Sequence, residues 1–266
     1  MLQKICLLFF VLFNSVFGAY IGNPAAPAVM NSGVFSSHNP FIKGTSGYIG
    51  DYITDKHYEA DKNNPNFDPD DIFKKFIIHS QLASFSLIFL ERLELFGTVG
   101  GSKPRTKQHG EDPAITDLLF DFESSYQFSW SAGGKIILMQ WGRTYFCTDF
   151  TYFAMPESAN SYFKFFNRFN LPLNFGKQEL SLKEWQVSGA LAMNLFFITP
   201  YFGGTYLNSK LHIGSSPAVG SFDYKNKDTI GYFYGATLSL SGKFHLNYEQ
   251  RFRTEKAYTF STIAVF

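Results

Sequence analysis

Apolar and polar side chains alternate with little interruption between Asp228 and Arg253. Ile230, Tyr232, Tyr234, Ala236, Leu238 and Leu240 share one parity; Thr229, Gly231, Gly235, Thr237 and Ser239 share the other, with Phe233 as the exception. Beyond Ser241-Gly242, Phe244, Leu246, Tyr248 and Phe252 face one way, and Lys243, His245, Asn247, Glu249, Arg251 and Arg253 the other. A period of two sends such sets to opposite faces of a sheet, so the segment predicts a hairpin with one apolar, aromatic face and one charged face. A soluble sandwich gives this pattern with the polar face in bulk water. A transmembrane barrel gives it inside out, with apolar residues on lipid and polar residues around a lumen.

The same test finds further strands at Leu182 to Phe196, Phe128 to Met139 and Arg143 to Ala154, with Ile137 and Met139 as apolar intruders on a polar face. Weaker strands are Gly47 to His57, Phe76 to Leu90, Arg92 to Gly101, Pro200 to His212 and Lys256 to Phe266. Short turns at Glu91-Arg92, Gln140 to Gly142, Phe197 to Thr199 and Ser241 to Lys243 alternate with long connections. The long ones are Tyr58 to Lys75, Ser102 to Ser125, Met155 to Ser181 and Gly214 to Lys227. Outer-membrane barrels sort their loops in this way, short in the periplasm and long outside. The expected fold is therefore all-β: a transmembrane antiparallel up-and-down barrel of about ten strands, or twelve if a hairpin lies between Ser161 and Phe175.

Composition supports export. Lys4, the apolar run Ile5 to Phe13 and the small-residue site Val16-Phe17-Gly18 read as a signal peptide spanning 1–18. Residues 19–44 are expected to form a periplasmic segment and 45–266 the barrel. Without Lys4 the chain carries as many basic as acidic side chains, 22 of the latter, which argues against nucleic acid as a partner. The 32 Phe and 15 Tyr suit aromatic girdles at two membrane interfaces. Cys6 leaves with the signal, so Cys147 has no intramolecular partner and reads as buried and inert rather than as a bond between chains.

Several runs resemble the chlamydial major outer membrane porin family. Gly22-Asn23-Pro24-Ala25-Ala26-Pro27 is similar to that family's mature N-terminus, and Gly47-Tyr48-Ile49-Gly50-Asp51-Tyr52 to its first strand. Ser129-Trp130-Ser131-Ala132-Gly133-Gly134 is similar to a strand further along. The most specific run is Glu184-Trp185-Gln186-Val187-Ser188, followed by Phe197-Ile198-Thr199-Pro200-Tyr201-Phe202-Gly203. The ending from Thr254 to Phe266 is similar as well. The resemblance implies an outer-membrane porin for ions and small hydrophilic solutes, often trimeric, with a structural and surface role. The shorter length implies reduced loops, and the single cysteine leaves no basis for that family's disulfide network. Outer-membrane lipid and, through the terminal Phe266, the barrel-assembly machinery are the expected partners; no cofactor or metal is expected.

For a pore the chemistry is a field set by side chains around the lumen. Alternation assigns Lys135, Asp149, Glu184, Gln186, Asn194, His245, Asn247, Glu249, Arg251 and Arg253 to that face, the residues at strand ends doubling as rim charges. Phe163, Phe165, Phe166 and Phe169 are candidates for a constriction. Asp68, Asp70 and Asp71 read as a solvated acidic loop rather than a calcium site. The glycine-rich run Gly97 to Lys103 reads as a bending strand rather than a phosphate loop. His109, Glu111 and Asp112 sit close in sequence, but adjacency alone does not assemble a hydrolase. The expectation is a protein that is not an enzyme, with a surface adhesin or ligand-binding barrel as the alternative to a porin.

Overall fold

A computed structural model describes residues 22–29, 41–61, 72–109, 119–166, 172–214, 221–240 and 243–266. A short helix, α1 (Ala26–Val29), precedes twelve strand segments. The first six are β1 (Ile42–Ala60), β2 (Ile72–Phe89), β3 (Leu93–His109), β4 (Leu119–Ser124), β5 (Gln127–Trp141) and β6 (Thr144–Phe166). The others are β7 (Pro172–Met193), β8 (Ile198–Ile213), β9 (Phe222–Asn226), β10 (Ile230–Leu240), β11 (Phe244–Phe252) and β12 (Glu255–Val265). All pair antiparallel with their neighbours, and β12 pairs back onto β1, so the sheet closes into a barrel. β4 and β5 lie in succession between β3 and β6, while β9 continues the line of β10 along β8. The wall therefore has ten strands.

The long connections are shorter than the sequence suggests, because the strands run on into them. β6 and β7 stay paired as far as Phe166↔Pro172, so the described residues between Ser161 and Phe175 belong to these two strands and add no others. At the opposite extreme, β11 and β12 turn back early at Arg253-Thr254. Above that turn β9 pairs directly with β1 through Tyr58↔Asn226, Glu59↔Lys225 and Ala60↔Tyr224. The ring thus narrows from ten strands at the short-turn end to eight at the long-loop end, and barrel diameter falls with strand number.

The faces are inverted relative to a soluble protein. Phe85, Leu87, Phe128, Leu138, Phe150, Phe202 and Tyr232 are exposed on the outside, while Asp51, Lys56, Glu184, Glu249 and Arg251 are buried within. Outward aromatics meet across strands, with ring centroids 5.1 Å apart for Tyr248 and Phe260 and 5.8 Å for Tyr52 and Tyr258. Such a wall is stable only against hydrocarbon. The last residue helps to close the ring: Phe266 exchanges backbone hydrogen bonds of 3.0 and 3.1 Å with Gly44, and its ring occupies the space a side chain at 44 would need.

Tyr248 lies mid-height on β11, opposite Ala236, whereas Leu240 lies beside the turn. A cation in the middle of the lipid face costs about 2–4 kcal/mol and close to the interface about 0–1 kcal/mol. Tyr248→Lys is therefore expected to lower the folded, heat-modifiable fraction on cold gel electrophoresis sharply, with Leu240→Lys near wild type.

Candidate functional site: the barrel lumen

Inward side chains fill the barrel in three layers. At the short-turn end, residues 22–27 are buried inside the mouth. Pro24 sits in a turn closed by Ala26 N–H donating to Asn23 O at 3.1 Å, while Ala25 N–H donates to Asn23 Oδ1 at 2.9 Å. Ala25 packs with Ile137, Cys147, Ala190, Ala192, Tyr201 and Phe233, and Ala26 with Ile88 and Val265. Of the segment 19–44, residues 22–27 are thus inside the barrel at that end, and Ile42 to Gly44 already belong to β1. At the long-loop end, where the ring has eight strands, Phe76, Ile78, Met155, Leu180, Leu182, Leu211 and Tyr224 form an apolar core.

Between these layers lies an ionic one. Arg251 donates to Asp51 Oδ1 and Glu249 Oε1, both at 2.8 Å, and its Nε is 3.8 Å from Glu255. Lys56 lies 3.0 Å from Glu255 and also pairs closely with Glu184. Glu184 accepts further hydrogen bonds from Ser209 at 2.6 Å and Tyr58 at 3.2 Å. β1 and β7 are five places apart in the ten-strand ring, so the Lys56–Glu184 pair spans the lumen from wall to wall. Tyr201 OH reaches Asn247 Oδ1 at 3.2 Å and Glu249 Oε2 at 3.1 Å. It can do so because Gly235 lies between β8 and β11, and a Cβ there would stand 2.4 Å from the Tyr201 ring. On the other side Lys135 is 3.6 Å from Glu94, and hydroxyl pairs Ser80–Ser102 and Thr98–Ser131, each at 2.7 Å, line β2, β3 and β5. A cavity of about 30 Å³ between Asp51, Ser80, Thr98, Thr151 and Glu184 has room for about one water molecule.

Of the residues expected to face the lumen, Lys135, Asp149, Glu184, Gln186, His245, Asn247, Glu249 and Arg251 are buried inside the barrel. Two are not. Asn194 lies in the turn region after β7, and Arg253 is exposed in the β11–β12 turn with φ at 78°. Phe163, Phe165 and Phe166 fall in the outer arm of β6, paired with β4 at Phe122, Phe120 and Leu119, and Phe169 lies outside the described residues. β3 runs straight through Gly97 to Lys103 and ends at His109; Asp68, Asp70, Asp71, Glu111 and Asp112 lie outside the described residues. Among the described residues no His, Cys, Asp and Glu group is arranged to hold a metal ion.

Alternation missed Asp51, Lys56, Glu94 and Glu255. For Lys56 the reason is local: the register shifts between Ile53 and Asp55, so the inward parity passes from Asp51 and Ile53 to Lys56, Tyr58 and Ala60. Phe233 and Ile137, the exceptions to alternation, are inward fillers of the short-turn mouth.

No family model and no curated protein matches the chain. Solved structures resemble it in outline. The translocator domain of the autotransporter NalP from Neisseria meningitidis has a TM-score of 0.43 and 8% identity, over 88% of this chain and 90% of that one. The outer membrane protease OmpT from Escherichia coli has a TM-score of 0.40 and 8% identity, over 88% and 98%. The attachment invasion locus protein Ail of Yersinia pestis has a TM-score of 0.33 and 12% identity, over 84% and 99%.

Removing one partner of a buried ion pair costs about 3–5 kcal/mol, because the other charge is stranded. Lys56→Met is expected to destabilise the barrel by that order in denaturant titrations in micelles. Lys56→Met with Glu184→Gln should lose distinctly less than the two separate losses combined.

Proposed function

We propose that this barrel is a porin-type outer-membrane protein for ions and small hydrophilic solutes, shut in the state described, with an added surface role. The observation that supports the reading is the charge inside the wall. Asp51, Glu94, Asp149, Glu184, Glu249 and Glu255 are buried inside the wall, with Lys43, Lys56, Lys135 and Arg251 as the buried cations. Carboxylates outnumber cations, and wherever the lumen takes up water such a surplus favours cations over anions. A barrel with no conducting state would be packed more stably with apolar side chains at these positions. The resemblance to the chlamydial major outer membrane porins points the same way and suggests a trimer.

A second reading, a surface adhesin without an open channel, is favoured by one feature. The outer third of the lumen is filled by the apolar cluster around Phe76, Met155 and Leu180, which gives ions nothing to bind.

Purified protein in planar bilayers separates the two. A porin is expected to give small ohmic steps interrupted by long closures, with a cation preference that weakens in Glu94→Gln and Asp149→Asn. A membrane that stays non-conducting while the protein binds a surface ligand supports the adhesin.

A further inference from the structure

The short-turn mouth is closed by chain that precedes the barrel. Ala25 and Ala26 are 0% and 1% exposed, and their neighbours come from β2, β5, β6, β7, β8, β10 and β12, which is most of the way round the ring. Yet the hold is slight. Residues 22–28 present a glycine, two prolines, three alanines and one asparagine, side chains that bury little area. Their hydrogen bonds run within the segment: Ala25 to Asn23 Oδ1, Ala26 to Asn23 O and Ala28 to Ala25 O. Among the described residues none runs from the segment to a strand. Asn23 Nδ2 is buried with no hydrogen-bond partner, a group that gains by returning to water. The wall behind the segment is complete without it, since β12 and β1 close the ring through their own ladder.

We propose that residues 22–29 are a removable stopper that seals the periplasmic mouth and leaves it without unfolding of the barrel. The self-contained turn at Asn23-Pro24 lets the piece move as a unit. Departure exposes the inward side of β6, β7 and β8 at Cys147, Ala190, Ala192 and Tyr201 to water. That the opening leads on to solute passage rests on the porin reading; the stopper itself does not.

Cys147 is a natural reporter. It is fully buried in the cluster that holds Ala25, and it is the sole cysteine of the chain from residue 19 onward. That chain, folded in detergent, is treated with a charged, membrane-impermeant methanethiosulfonate, alongside a variant lacking residues 22–29 and an Ala25→Trp variant whose indole does not fit the mouth. Heat-modifiable migration reports that each barrel is intact. The wild type should label slowly but while folded, and both variants at least tenfold faster. Equal rates in wild type and deletion, or wild-type labelling that occurs only at the rate of global unfolding, overturn the proposal. Faster labelling with no conductance in either protein upholds the stopper and counts against the porin.

Discussion

Inside a barrel of ten strands that narrows to eight, a buried charged side chain has to be met by another side chain, on its own strand, on a neighbouring one or on the far wall. There is room for little of the water that would otherwise solvate it. The Lys56–Glu184 contact across the lumen is the clearest case, and the remaining charges are arranged round it. Arg251 collects Asp51 and Glu249, Glu255 lies between the two cations, and Tyr58 and Ser209 take up what Glu184 still offers. Because these residues come from β1, β7, β8, β11 and β12, the ionic layer ties the last strands to the first. It holds the seam where the chain's two ends meet.

The narrowing of the ring follows from the same constraint. β11 and β12 are short, and their turn places Glu255 beside Arg251 and Lys56 in the middle of the barrel. Above it β9 reaches across to β1 and completes a smaller ring, whose interior is small enough to be filled by Phe76, Met155, Leu180 and Leu211. Glycines permit the crossings. Without Gly235, Tyr201 would have no path to Asn247 and Glu249.

A lumen filled in this way joins two properties that usually belong to different proteins. Its long-loop end is packed like a protein core; its middle holds buried carboxylates and cations. The proposed function reconciles them by treating this arrangement as one state of a channel, with residues 22–27 buried in the opposite mouth.

Alternation along single strands made much of the wall legible in advance. It placed Ile230, Tyr232, Tyr234, Leu240, Phe244 and Tyr248 on the lipid side and put Glu184, Asn247, Glu249 and Arg251 inside, because the direction of a side chain on a strand depends only on parity. Parity is a local property, and it fails where the chain adds a residue. The irregularity after Ile53 hid Lys56, and strand extensions passed for loops at Met155 to Ser181. What no run of residues contains is which strand stands opposite which. The pairing of Lys56 with Glu184, the closure of β9 on β1 and the folding of residues 22–29 into the mouth all join positions far apart in sequence. They were decided by barrel closure, which sets distances between residues that the order along the chain leaves free.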